Sequence, residues 1–544
     1  MLKNRVSDSL AGLSLAGLLL PSAVAYAGIA GLAPQHAIFA TIAGLTIYAF
    51  TGRSRFAAVA PTSSSAAIIA ASVTGLASVA PDAQLTATLA IVLLAGIWFL
   101  LAGFFKLGFI ADFISRPVLR GFGLGLAITI IIKQLPALTG VPTPHGTAPF
   151  VLFDIIAAHA RWNLPSLAIG LAAIALLIAA SPFKALPRAF AVLCAGTYAA
   201  YTLHLQSRGV TLVGDIDFAS LHLTMPQLGY EEWLRIGSFS VPVFLMIYAE
   251  SWGSIRGLAL AHNDPIDADV EMRALGAANI LSALCQGMPV GAGLSASSAN
   301  EAAGAQSRLA GLAAAICIAA FILLGGKLIA LIPQPVLAAI VIVSLLHSLD
   351  PRPILKLAVI ERDFTIAAAA AIAVLGAGVL NGMLTAIGLS LAVALIRFAQ
   401  PSTSELGEMP DGYNFAAIAN NSEAKRLPAT AIFRPNRTLF FANAARALAE
   451  IFKKTASADF THIIVSLEET PDLDSTAADE ILEFAEKIKV RGQTLILARV
   501  KDEVREILDK VAAPAIPSFT LTRSVNDAAI LARKQLGQKP ASSE

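Results

Sequence analysis

Runs of about twenty apolar residues recur from Leu10 to Phe398, separated only by short polar breaks. A water-soluble globule does not carry so many, and the pattern specifies a polytopic α-helical membrane protein. Composition agrees: of 544 residues, 56% are hydrophobic and only 14% charged. The net charge of +2 points to no particular partner, nucleic acid included. Cys194, Cys285 and Cys317 all lie in apolar stretches, which argues against a disulfide framework, and the eight histidines lack zinc-ligand spacing. The N-terminus could pass for a secretory signal. No small-residue cleavage site precedes a polar start, however, so Leu10 onward reads as the first membrane helix.

Fourteen spans are predicted, at 10–32, 34–51, 60–79, 84–105, 118–135, 164–181 and 187–205, then 238–261, 270–287, 293–305, 308–332, 334–349, 362–380 and 382–399. The polar stretch 206–237 divides them seven and seven. An odd number per half turns the second half upside down. Residues 1–400 are therefore expected to form a transport domain of two inverted repeats, about 9–205 and 238–399. Basic residues such as Arg53, Arg55, Arg120, Arg256, Arg273, Arg308 and Arg397 gather near one face, and few, such as Lys133, Arg161 and Arg208, near the other. By the positive-inside rule both termini are cytoplasmic, in a cell (plasma) membrane.

Residues 287–309 break the apolar pattern. Gly287, Pro289, Gly291 and Gly293 forbid a regular helix, then Ser295, Ser297 and Ser298 supply hydroxyls and helix-compatible residues follow. An unwound lead-in to a half-helix leaves backbone N–H groups unpaired, which is a ready anion site with a favourable dipole. A Gly/Ser-rich packing surface is the plainer alternative. The matching place in the first half, Val59-Ala60-Pro61-Thr62-Ser63-Ser64-Ser65, has the same chemistry. Two interrupted segments at corresponding positions of two halves point to a transporter's midplane site.

The segment 429–535 is charged and mixed, with strands alternating with helices, so a small α/β domain is expected there. Residues 401–428 read as a polar linker and 536–544 as a disordered tail.

These features together resemble the sulfate permease (SulP) family of anion transporters with a C-terminal STAS domain. Pro21-Ser22-Ala23-Val24-Ala25-Tyr26-Ala27 resembles the family's first-helix motif, Gly52-Arg53-Ser54-Arg55 its Gly-Thr-Ser-Arg, and Ala60-Pro61-Thr62 its third-helix start. Pro289 to Asn300 resembles the tenth-helix signature, and Asp472-Leu473-Asp474-Ser475-Thr476 the STAS strand-to-helix loop. The resemblance implies a seven-plus-seven fold in which spans one to four and eight to eleven form a core that moves, elevator-like, against a gate. It also implies a homodimer, assembled partly through STAS, and a small anion of the sulfate, bicarbonate or dicarboxylate class as substrate. Two departures stand out. Ser22 replaces the family's glutamine, and Ala296 replaces its arginine, which removes the fixed positive charge from the anion site.

The site is expected near Ser22, Tyr26, Thr62, Ser63, Glu250, Leu294, Ser295 and Ala296. Glu250 sits mid-span, where a carboxylate is costly and functional by default, although it could serve only to tie helices together. Without an arginine at 296, an ionised Glu250 needs a proton or Na⁺ to neutralise it. That makes it the expected coupling residue of a symporter, with Glu301 the weaker candidate; Glu301 could instead pair with a base such as Arg308. Tyr26 either faces the site or packs. Ser475 is either regulatory, as in free-standing STAS domains, or a helix cap. No resident cofactor or metal is expected beyond co-transported H⁺ or Na⁺. Neither a nucleotide-binding loop, a metal cluster nor a catalytic triad is present to support an enzyme. A nucleobase-type permease of the same fold, or a STAS-based membrane sensor, are the competing functions.

Overall fold

The computed structural model describes every residue except 1, 76–80, 110–115, 143–145, 183–187, 215–221, 360, 457–458, 513–518 and 538–544. The end of the third expected span, part of the 206–237 divider and the tail from 538 therefore lie outside the described residues. The chain forms two units, Met1–Leu391 and Ala392–Glu544.

In the first unit a helix lies at each of the fourteen expected positions. The first half carries α1 (Leu2–Ala30), α2 (Pro34–Thr51), α3 (Ser63–Gly75), α4 (Pro81–Phe104), α5 (Arg116–Thr139), α6 (Ala148–Ala157), α7 (Leu164–Ala179) and α8 (Arg188–Thr202). The second carries α9 (Tyr230–His262), α10 (Ala268–Leu284), α11 (Leu294–Ala302), α12 (Leu309–Ala330), α13 (Gln334–Leu345), the one-turn α14 (Arg352–Leu355), α15 (Glu361–Ala377) and α16 (Val379–Ala399). Two short strands, β1 (Val59–Ala60) and β2 (Gly291–Ala292), precede α3 and α11.

The helices α6 and α14 are additions to the sequence expectation. Ten residues of α6 reach only about 15 Å, half the hydrocarbon thickness, so a twenty-residue window passes over it. Each follows the fifth helix of its half, and the two halves then match element for element, α1 with α9 through α8 with α16. Among the described residues, Val6–Ala30, Gln84–Phe104, Pro117–Thr139 and Val379–Ala399 are long and apolar enough by themselves to cross a membrane. By contrast α11, at nine residues, stops about 13 Å from its start. It is a half-helix.

The halves interlock. α10 packs on α4 and α2, α1 on α12, α5 on α15 and α7 on α13, each contact joining one half to the other. Close approach explains glycine at the α4–α10 crossing: a Cβ at Gly276 would lie 2.9 Å from the Gly96 carbonyl, and one at Gly96 would lie 2.9 Å from the Ile280 nitrogen. Without a hydrophobic force between helices in lipid, such small-residue contacts supply the packing.

The second unit holds a six-stranded sheet in the order β4-β3-β5-β6-β7-β8. The strands are β3 (Thr403–Glu408), β4 (Phe415–Ala417), β5 (Thr430–Pro435), β6 (His462–Ser466), β7 (Thr494–Ala498) and β8 (Phe519–Thr522). β5 to β8 run parallel, connected through α17 (Ala444–Lys454), α18 (Ser475–Val490) and α19 (Asp502–Ala512), and α20 (Val525–Gln535) closes the domain. Strand alternation explains the layers. Phe433, Val465 and Leu497 pack with Leu448, Ile481 and Leu508 of α17 to α19, while Ile432, Ile464 and Ile496 pack with Ala528, Ala529 and Ala532 of α20.

One boundary needs correcting. The stretch 401–428, expected as a linker, supplies β3 and β4, which extend the sheet antiparallel from β5. Thr403–Glu408 is short and mostly polar (Thr403, Ser404, Glu405 and Glu408), as befits a strand near the sheet edge, and that polarity hid it in the sequence.

Candidate functional site

Between α2 and α3, and again between α10 and α11, the chain leaves helical geometry inside the bundle. The freed backbone groups need protein partners, because lipid offers none. In the first stretch the fully buried Glu271 of α10 accepts, through Oε1, the N–H groups of Arg53 (3.0 Å) and Ser54 (3.2 Å). Its Oε2 accepts the Tyr48 hydroxyl at 2.6 Å. Ala58 N–H donates to Ser297 Oγ at 3.2 Å, and Asn300 Nδ2 donates to the Phe56 carbonyl at 3.1 Å.

The second stretch is held as fully. His36 Nδ1 meets the Gln286 carbonyl at 2.6 Å, and Ser282 Oγ donates to the Met288 carbonyl at 2.7 Å. Ser65 Oγ donates to the Pro289 carbonyl at 3.1 Å. The Asn279 amide brackets Val290, donating to its carbonyl at 2.9 Å and accepting its N–H at 3.0 Å. Ala292 N–H donates to Ser251 Oγ at 2.9 Å.

So held, the two stretches pair as β1 and β2, antiparallel, Val59 opposite Ala292 and Ala60 opposite Gly291. Glycine at 291 leaves room for the Ser251 hydroxyl: a Cβ there would lie 2.8 Å from Ser251 Oγ and displace it. The pairing brings the N-termini of α3 and α11 together. A Cβ placed on Gly293, the residue before α11, would stand 2.9 Å from Thr62 Cγ2, just before α3. At α3 the start is sealed reciprocally, Thr62 N–H to Ser65 Oγ (2.9 Å) and Ser65 N–H to Thr62 Oγ1 (3.0 Å).

Glu250 of α9 points at this convergence. Its Oε2 accepts the Thr62 hydroxyl at 3.0 Å, and Ser64 lies close by. The other oxygen would lie 3.8 Å from a Cβ on Gly293. Tyr26 of α1 lies near Ser22 and within electrostatic reach of Glu250, while Ser22 Oγ donates to its own helix at Leu18 (2.8 Å). Ser22, Tyr26, Ser63 and Ala296 are half-buried, and Leu294 and Ser295 are exposed. The candidate residues thus include a carboxylate, hydroxyls and two half-helix ends, each carrying about half a positive charge. Among the described residues, no lysine or arginine hydrogen-bonds to Glu250 or Thr62. Nor does any group of three or more His, Cys, Asp or Glu stand ready for a metal ion among them.

Two candidates lie elsewhere. Glu301, near the end of α11, pairs with His262 at 2.6 Å with both side chains about one-third exposed, and Arg308 donates instead to the Gly52 carbonyl. Ser475 is exposed in the first turn of α18, whose cap is Asp474, accepting Ala477 N–H at 2.8 Å. The sequence reading overlooked Glu271, His36, Asn279 and Ser251. Glu271 follows Asp267 and Asp269 at the start of α10, where acids are ordinary, and Asn279, a lone amide mid-span, was the detectable signal.

Fold and site define a helical membrane transporter in which the starts of two short helices meet, together with a separate STAS domain. Residues 6–370 match the sulfate permease family and residues 421–528 the STAS domain. The chain belongs to the sulfate permease family. A probable sulfate transporter of Mycobacterium tuberculosis (strain CDC 1551 / Oshkosh) is 31% identical over 521 residues, 93% of this chain and 92% of that one. Solute carrier family 26 member 6 of Homo sapiens is 28% identical over 474 residues, 81% of this chain and 61% of the human one. Among solved structures, the murine Slc26a9 anion transporter in the inward-facing state superposes with a TM-score of 0.89 at 19% identity, covering 97% of this chain and 91% of that one. The transmembrane domain of the cyanobacterial bicarbonate transporter BicA gives 0.64 at 20% identity, covering 72% and 98%.

Proposed function

We propose that the protein is a secondary active transporter of a small anion of the sulfate, bicarbonate or dicarboxylate class, coupled to H⁺ or Na⁺ entry. The observation that carries this reading is Glu250 placed where two half-helix N-termini meet, hydrogen-bonded to Thr62 at 3.0 Å, in a chain whose residue 296 is alanine. Two half-helix dipoles amount to about one positive charge, which an ionised Glu250 would cancel. An anion therefore binds well only when a proton or a cation neutralises Glu250. Co-transport follows from that charge balance. No ATP-binding motif is present in the sequence, so gradients supply the driving force.

Spans one to four and eight to eleven, which bear Tyr26, Thr62, Glu250 and Ser295, form the moving core of a fourteen-span, seven-plus-seven bundle, and the rest the gate. The basic residues near one face support cytoplasmic termini and a cytoplasmic STAS domain. The protein works as a homodimer in the cell membrane. Catalysis forms no part of this reading.

The test is uptake of radiolabelled sulfate and bicarbonate by proteoliposomes under imposed inward proton or sodium gradients. Uptake of an anion driven by one gradient supports the reading. Uptake of neither anion, with binding of a neutral nucleobase, would replace it.

A further inference from the structure

α2 and α10 are the second helices of their halves, and each carries one buried polar side chain in its first turn, His36 and Glu271. Each grips the unwound stretch that follows the other helix. Glu271 holds the N–H groups of Arg53 and Ser54 at 3.0 and 3.2 Å, and His36 meets the Gln286 carbonyl at 2.6 Å. A further tie backs each grip. Tyr48, in the last turn of α2, donates to Glu271 at 2.6 Å, and the His36 carbonyl accepts Met288 N–H at 3.3 Å. The chemistry is matched to what each stretch presents: N–H groups meet a carboxylate, and a carbonyl meets an imidazole, whose ring N–H donates. Spacing matches too. Four residues separate Ser54 from Val59, and four separate Gln286 from Gly291.

We propose that His36 and Glu271 are a reciprocal pair of positioning residues. They fix the register of β1 against β2 and so deliver Thr62 and the start of α11 to Glu250. The β1–β2 ladder has only two residue pairs, so a slip of one residue would forfeit half of it and turn its side chains over. Neither residue is among the hydrogen-bond partners of Glu250 or Thr62, and both act through the backbone of the intervening four residues. The proposal rests on the reading that substrate binds between α3 and α11.

The test uses full-length protein in which Cys194, Cys285 and Cys317 are replaced by alanine and Val59 and Ala292 by cysteine. Directly opposed residues place their Cβ atoms about 4.5–5.5 Å apart, close enough for a disulfide after small adjustment. Disulfide yield reports register, and the uptake KM reports the site. Glu271→Leu and His36→Leu should each lower the yield by roughly 5-fold or more, the equilibrium shift from losing about one buried hydrogen bond, and raise KM. Glu271→Gln and His36→Asn, which keep a carbonyl acceptor and an amide donor in place, should restore both. Unchanged yield in folded leucine variants overturns the proposal. If a leucine variant does not fold, Tyr48→Phe and the Gln and Asn variants are read instead. Tyr48→Phe should lower the yield about 2-fold, a fraction of one hydrogen bond, and no change overturns the proposal. A lowered yield with normal KM leaves the positioning role standing and removes the site from between α3 and α11.

Discussion

Gly293→Ala tests the site with a single methyl group. The backbone at Gly293 has φ −66°, so alanine adopts it without strain. The added Cβ would lie 2.9 Å from Thr62 Cγ2, against 3.4–4 Å for ordinary contact, so the threonine must retreat by at least half an ångström. Its methyl and hydroxyl share one carbon, and moving the first stretches the 3.0 Å bond from the hydroxyl to Glu250 past useful length. A hydrogen bond to a charged acceptor contributes about 1.5–3 kcal/mol, so uptake at subsaturating substrate should fall roughly 10- to 100-fold. Thr62→Ser on its own keeps the hydroxyl and should transport nearly as the wild type. The double variant Gly293→Ala, Thr62→Ser removes the methyl that clashes and should recover most of the loss. The assay is initial uptake into proteoliposomes, with thermal melting to show that each variant folds. Wild-type uptake by Gly293→Ala, or a double variant no better than it, refutes the reasoning.

Ser295→Leu fills the exposed start of α11 with apolar bulk, and uptake should be lost while the melting temperature holds; normal affinity would move the substrate elsewhere. Glu250→Gln should still bind anion but lose its dependence on the driving gradient, and transport with the same gradient dependence as wild type would end the coupling role. Asn279→Leu strands the N–H and carbonyl of Val290 inside the bundle, at about 1–3 kcal/mol each, and should lower the melting temperature as well as uptake. Removing residues 401–544 deletes the sheet whole, including β3 and β4, and should reduce assembly, read by light scattering in mild detergent, while substrate binding persists. Cutting at 429 instead leaves two orphan strands, and that truncation should aggregate more.

Much of the bundle was legible because an apolar run of twenty residues has one use, and breakers such as Gly287, Pro289 and Gly291 cannot hide in it. The motifs around Pro61 and Pro289 disclosed where the breaks face each other. What sequence could not reveal was how broken backbone is satisfied. Glu271 and His36 serve loops more than 200 residues away, and no local pattern encodes such a bond. Short elements escaped for a related reason: α6 has ten residues and β4 three, below any window that measures periodicity. Ser475 and Glu301 were visible as chemistry, but that Asp474 caps α18 and that Glu301 pairs with His262 became visible only in three dimensions.

The pairing of β1 with β2 has a consequence for how the protein is made. Ala60 and Gly291 are opposite each other in space and 231 positions apart in the chain. At ribosomal speeds of about 5–20 residues per second, the first broken segment waits roughly 10 to 45 s in the membrane before the second is synthesised. For most of that interval Glu271, and for all of it Ser297 and Asn300, which will take up its exposed backbone, do not yet exist. The nascent first half must therefore be sheltered by water or by the insertion machinery, and a lesion in residues 271–300 should strand an otherwise faultless N-terminal half. Degradation of the newborn chain, rather than slow transport, is the outcome such lesions should show.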